Sequence, residues 1–286
     1  MAGDGVFRVY AVDLDGTFID EVIDARGAPN ADVELMAPLG GHDVTVSLLK
    51  GAQPTLSFST LKVGTALAAV GIDGLDVSSG LAVSWIEKAV GGKFHTAGEK
   101  LTAAKCLVVP TGIRCSADGN AQIDYVGHCY SANGTTHPLA SGTTLLAGTP
   151  AVTEVFGLGT CLVGGVPLGQ VLDMSIDTGN QVEVLKESHH VYPTIAHLVE
   201  PRQASITLRC RDLGEVSDAR LVGAELPVVV NLLKKSLTGG GWAGAGNKSL
   251  TATKAFVTVQ DLGADGVALQ CRVRKEGANA ILIVGS

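Results

Sequence analysis

The chain has little with which to grip a polyanion, cross a membrane or staple itself with disulfides. Charged residues make up only 17% of it, the formal net charge is −7, and its lysines and arginines form no cluster. Phosphate binding needs a basic stripe, so this protein is expected to repel nucleic acid rather than hold it. No run approaches the ~18 apolar residues that a membrane span requires. The opening Met1-Ala-Gly-Asp-Gly-Val-Phe-Arg8 has no basic region followed by an apolar stretch and a cleavage site, so no signal peptide is expected. The six cysteines (Cys106, Cys115, Cys129, Cys161, Cys210, Cys271) make no CxxC pair. They are expected to be reduced, buried small hydrophobes rather than disulfides or zinc ligands. Aromatics are scarce at 4%, and a tandem carbohydrate-binding module would need more exposed rings than two Trp and four Tyr supply.

What is present suits strands. The hydrophobic fraction is 46% over 286 residues, ample for one large core or two ordinary ones. Val, Leu, Thr and Ala dominate and 37 glycines punctuate them, a mixture typical of short strands and tight turns.

The sequence also repeats itself. Glu21-Val-Ile-Asp24 matches Gln170-Val-Leu-Asp173, and Val33-Glu-Leu-Met36 matches Val182-Glu-Val-Leu185, both at an offset of 149. Gln53-Pro-Thr-Leu-Ser-Phe58 and Gly64 match Gln203-Ala-Ser-Ile-Thr-Leu208 and Gly214 at 150. Leu101-Thr-Ala-Ala-Lys105 matches Leu250-Thr-Ala-Thr-Lys254 at 149, and Ala117-Asp-Gly119 matches Ala264-Asp-Gly266 at 147. Matched blocks in one order at a nearly constant offset indicate duplication. Residues 134–150, rich in Gly, Thr and Pro, read as a linker that is partly extended. The boundary falls near 148, giving units 1–148 and 149–286.

Each unit is expected to hold the same elements. Strands at 18–23 and 33–36 (168–172 and 182–185) lead to a long excursion at 37–51 (186–202). A strand alternating with period two follows at 55–61 (205–211). Helices are expected at Gly80–Val90, where Leu81, Ala82, Trp85, Ile86 and Ala89 share a stripe, and at Pro227–Leu237. Both would stop at glycines. Two strands joined by the Asp118-Gly119 and Asp265-Gly266 turns close each unit. The fold class is therefore mainly β: two tandem sandwich or barrel units, each with one flanking helix and a long extended loop or hairpin.

Three stretches imitate catalytic motifs. Val9-Tyr-Ala-Val-Asp13-Leu-Asp15-Gly-Thr17 resembles the first motif of haloacid-dehalogenase-type phosphatases, which would make Asp13 a nucleophile and Asp15 a general acid beside Mg²⁺. No later acidic pair follows, the α/β rhythm is missing, and the second unit has Gly164-Gly-Val-Pro-Leu168 there. Gly241-Trp-Ala-Gly-Ala-Gly246-Asn-Lys248-Ser249 misses P-loop spacing by one residue, and it and its counterpart at 91–100 read as flexible glycine-rich connections. His189, His190 and His197, with Glu187 and Glu200 nearby, sit in the second excursion, where no metal is expected. No catalytic residue and no cofactor are expected, and the phosphatase reading through Asp13 and Asp15 is the enzymatic alternative.

The order of elements resembles the tail tube proteins of bacteriophages, which have a β-sandwich or barrel, a flanking helix and an extended loop reaching neighbouring subunits. The resemblance implies a virion structural protein, assembled in the host cytoplasm, whose stacked rings conduct DNA without binding it specifically. For a duplicated unit it implies three chains per ring of six similar domains. It implies partners in the chain itself, the tape measure protein and the tail terminator or baseplate proteins. A baseplate hub or distal tail protein of the same fold is the alternative within this class. The excursions are then the expected contacts between subunits, through Val44, Val46, Leu48 and Leu49 in the first and Val191, Tyr192, Ile195, Leu198 and Val199 in the second. Apolar groups on a protruding segment need another surface to cover them.

Overall fold

The computed structural model describes residues 6–36, 46–77, 80–88, 94–211, 223–263, 266–274 and 281–285. The first half runs β1 (Val6–Leu14), β2 (Thr17–Ile19), β3 (Val22–Ala28), β4 (Ala31–Met36), β5 (Val46–Ala52) and β6 (Thr55–Thr60). Helix α1 (Val63–Val70), β7 (Leu75–Val77), β8 (Leu81–Lys88), β9 (Phe94–Ala103), β10 (Cys106–Ser116), β11 (Gln122–Cys129) and β12 (Leu139–Gly142) follow. The second half holds β13 (Phe156–Val163), β14 (Val166–Pro167), β15 (Val171–Asp177), β16 (Val182–Leu185), β17 (Ile195–Leu198) and β18 (Ser205–Cys210). It ends with β19 (Glu225–Lys234), β20 (Lys248–Gly263), β21 (Gly266–Val273) and β22 (Leu282–Gly285). The chain is mainly β.

Both halves pair their strands in one order. The first forms β12-β9-β8-β1-β2 and β10-β11-β6-β3; the second repeats these as β22-β20-β19-β13-β14 and β20-β21-β18-β15. Strand β20 spans the positions of both β9 and β10, which the first half separates at Ala104-Lys105. Irregularities recur as well. The bulge at Val22/Asp24 reappears at Val171/Asp173, and that at Pro110/Gly112 reappears at Val259/Asp261, each 149 residues on. Positive φ recurs at the same offset, from Asp15, Gly16 and Glu21 to Gly164, Gly165 and Gln170. A bulge re-aims a strand at one point, so its repetition at a fixed offset marks equivalent positions.

One ladder joins the halves. Strand β10 pairs antiparallel with β15, from Gly112 opposite Asp177 to Ser116 opposite Asp173. The result is a continuous run of eight strands, β3-β6-β11-β10-β15-β18-β21-β20. Alternation assigns its faces. Leu56 and Phe58 of β6, Ile123 and Tyr125 of β11, and Ile206 and Leu208 of β18 all point inward and are buried. Phe58 and Tyr125 stack at 5.1 Å. Each such side chain contributes roughly 1.5–3 kcal/mol on burial.

The helices expected at 80–90 and 227–237 are strands instead, β8 and β19. Leu81, Ala82, Val83 and Ser84 are all buried, and an apolar run covered on both faces carries no period that separates strand from helix. Pro227 sits where the register slips between Leu226 and Val228, a bulge that tolerates a missing N–H. Among the described residues the helix that forms, α1, follows the alternating strand and buries Val63, Ala66, Leu67 and Val70 on one stripe.

The segment between the halves is pinned. Strand β12 pairs with β9, so part of the expected linker is indeed extended. Further on, the Asp20 carboxylate accepts the Ala151 N–H at 2.6 Å and pairs with Lys62, both residues being buried. Glu154 accepts the Thr65 N–H at 2.7 Å in the first turn of α1, where a carboxylate opposes the helix dipole favourably.

Candidate functional site

The phosphatase-like motif is a hairpin turn. Asp15 and Gly16 are the central residues between β1 and β2, with φ of 52° and 83°, and Leu14 faces Thr17 across the closure. Two positive φ values define the type I′ geometry that matches strand twist and favours Asp-Gly. Asp13 Oδ1 accepts the Gly16 N–H at 3.0 Å, which tightens the turn. The P-loop-like stretch is likewise a loop entering β20. There Asn247, the residue that spoils the motif, accepts the Lys234 N–H at 3.0 Å. Its counterpart is not the flexible connection expected, because Phe94–Lys100 belongs to β9.

Among the described residues, one group of potential metal ligands comes together, Glu187, His189 and His190, with ligand atoms within 4.8 Å of one another. The histidine Nε2 atoms lie 3.7 and 3.8 Å from Glu187 Oε2. His190 Nδ1 is buried without a partner. A metal on Nε2 would force the ring proton onto that Nδ1, a donor with nothing to receive it. His197 stands apart, 3.2 Å from Glu183.

The six cysteines are free thiols and all are buried. Burial pushes Cys115 up to about 11 and Cys161 and Cys271 up to about 12, while contact with Cys129 and burial hold Cys106 well above its ordinary value. Thiols so disposed are poor nucleophiles.

The most coherent surface is the outward face of the eight-stranded run. Its side chains are Ser57 and Ser59 on β6, Asp124 on β11, Arg114 on β10, Asp173 and Ser175 on β15, Thr207 and Arg209 on β18, with Asp24 and Arg26 on β3. None of the chain's 12 lysines lies on these eight strands from Phe256 of β20 across to β3. Three of the four arginines on this face lie beside carboxylates: Arg26 beside Asp24 at 2.9 Å, Arg114 beside Asp124 at 3.3 Å and Arg209 beside Asp173 at 3.8 Å, while Arg272 of β21 is exposed. Asp124 also accepts from Gln122 at 3.0 Å and from Ser59. Burial lowers the pKa of His128 at the end of this face, which favours its neutral form. The face is mostly polar and largely neutralised, and both halves build it.

The excursions form two hairpins, β4 with β5 and β16 with β17. Val44 lies outside the described residues. Val46 and Leu48 pair through their backbones with Met36 and Glu34, and Leu49 is exposed opposite exposed Val33. In the second hairpin Leu185 faces Ile195, and both are exposed. Val191 and Tyr192 instead turn back on the chain, both donating N–H groups to Gly134 O at 3.0 Å, while Val191 O receives the Ala52 N–H. Leu198 and Val199 are half-buried. No sequence signal marks which of these apolar residues is engaged within the chain, because the partner Gly134 is far away in sequence.

Among the described residues no helix is long and apolar enough to cross a membrane. No protein-family model matches the chain, and no curated protein matches it.

Proposed function

We propose that the chain is a bacteriophage tail tube subunit, three copies of which close a ring of six similar units, with rings stacked into a channel for DNA. The observation that carries this reading is the lysine-free outward face of the eight-stranded run. DNA must slide along a channel wall without sticking, and sticking scales with the number of phosphates that free cations can neutralise. A wall without lysines, three of whose four arginines lie beside aspartates, offers few. The duplication and the two projecting hairpins support the same reading, since heterologous contacts between repeated units close into rings.

Negative-stain microscopy of the concentrated protein tests it. Rings or tubes with a stain-filled centre are expected, and a field of monomers at every concentration and salt overturns it. A single ring that never stacks would favour a hub or distal tail position.

A further inference from the structure

The strand run that joins the two halves is open at both ends, and the internal joint dictates how each end is filled. Among the described residues, strand β3 pairs with β6 alone. At the other end, β19 accompanies β20 only as far as Phe256, so the far side of residues 258–263 carries no strand among the described residues. These two edges are the equivalents, 149 residues away, of the edges that meet inside the chain. Gly112, Ile113 and Arg114 of β10 correspond to Asp261, Leu262 and Gly263 of β20, counted from the shared bulge. Asp177, Ile176 and Ser175 of β15 correspond to Ala28, Gly27 and Arg26 of β3, also counted from a shared bulge.

We infer that β20 of one chain pairs antiparallel with β3 of a second copy, with Asp261 opposite Ala28, Leu262 opposite Gly27 and Gly263 opposite Arg26. Burial supports the assignment. Leu262 lies on the core-facing side with its partner Val267, which is fully buried, yet Leu262 is 62% exposed. Its internal equivalent Ile113 is 0% exposed, because Ile176 of β15 stands opposite it. An apolar side chain left open at a sheet edge invites another strand, and here the chain itself shows which strand fits. Charge agrees, since Asp261 and Arg26 come to lie diagonally across the joint, within reach of one another. The contact is head-to-tail, so an open row of chains keeps one free edge at each end until a ring closes.

This pairing rests on the tube reading only for ring closure, and cross-linking separates the two. Asp261→Cys and Ala28→Cys are made in separate full-length chains. Opposed residues in an antiparallel pair stand roughly 4.5–5.5 Å apart at Cα, which a disulfide spans. The native thiols are buried and give no background. Within one chain the two sites lie at opposite ends of the eight-stranded run, so a bond between them must link two molecules. Mild oxidation of the mixture should shift both variants into one covalent dimer band, while either variant alone stays monomeric. The double variant should give a ladder that ends at the ring size. Rings in the microscope without the cross-link overturn the register and leave the tube reading standing. Cross-linked open chains without rings uphold the pairing and overturn the tube reading. Absence of both overturns both.

Discussion

Ile113 of β10 stands opposite Ile176 of β15, and the pair is sealed at the point where the two halves share a sheet. The equivalent Leu262 is bare. One physical environment thus exists in two versions, occupied inside the chain and vacant at its edge. Ile176→Ala should cost about 2–5 kcal/mol of stability, as for other buried large-to-small changes. Leu262→Lys should leave the melting temperature of the isolated chain within the ~0.5 kcal/mol scatter of surface changes, yet abolish assembly by charging the edge. Thermal melts and sedimentation check both. Normal assembly of Leu262→Lys would count against the edge as a contact.

Unmasking the arginines should make the smooth face adhesive. In Asp24→Asn, Asp124→Asn and Asp173→Asn combined, Arg26, Arg114 and Arg209 lose the carboxylates that hold them. The net charge rises by three, and each phosphate engaged adds roughly −0.9 to the slope of log affinity against log salt. Filter binding of duplex DNA at low salt should show retention by the triple variant, falling steeply as salt is raised, and none by the parent. Equal retention by the two would mean that these pairs do not tune the surface.

Much of this was legible in the sequence, and the failures are physical ones. The alternating strands at 55–60 and 205–210 announced themselves because one face is wet and the other dry. The Asp118-Gly119 turn and the two hairpin excursions were also visible. Strands β8 and β19 look helical in sequence for two reasons. The first four residues of β8 are buried on both faces, which leaves Trp85 and Ile86 as part of an apparent stripe. Strand β19 carries apolar Val229 and Leu233 on its half-buried face beside buried Val228, Val230 and Leu232 on the other. The actual helix at 63–70 is short, with Ala and Gly throughout, and nothing beyond its four apolar contacts distinguishes it from a loop. The β10–β15 joint had no local signature, since pairing between distant strands depends on register that no single segment encodes.

A half-buried carboxyl next to the connector should make stability depend on pH. Burial is the main cause that raises the Glu21 pKa, with Asp20 nearby adding to it, although the Thr153 N–H and Lys62 act in the opposite direction. A carboxyl whose folded pKa lies above its unfolded value favours the fold at low pH, and that margin is lost as pH rises through the folded value. Glu21→Gln removes the titration and keeps an oxygen for the Thr153 N–H, which lies 2.8 Å from Oε1. The backbone should accept the change, because Gln170 occupies the equivalent position with the same left-handed φ. Melting temperatures should therefore be higher in the variant near neutral pH and converge with the parent below the usual glutamate range. A variant less stable than the parent at neutral pH would show that the charged form is the favoured one.

The exposed sides of the hairpins, rather than their anchored parts, should govern contacts between molecules. Tyr192 edges against His137 at 5.1 Å between ring centres, and the Val191 and Tyr192 amides are spent on Gly134. Removing the Tyr192 ring should lower stability before it touches assembly. Leu49 and Ile195, by contrast, are 45% and 54% exposed, each opposite another exposed apolar residue. Left in water, such surface costs roughly 25 cal/mol per Å², so a neighbouring molecule that covers it gains that much. Leu49→Ser with Ile195→Ser should therefore melt like the parent but raise the concentration needed for rings or tubes, as read by sedimentation and microscopy. Tyr192→Ala should do the reverse, lowering the melting temperature while any folded fraction assembles at the usual concentration. If the paired serine changes leave assembly untouched, the hairpins serve their own chain and the ring is held by the sheet edges alone.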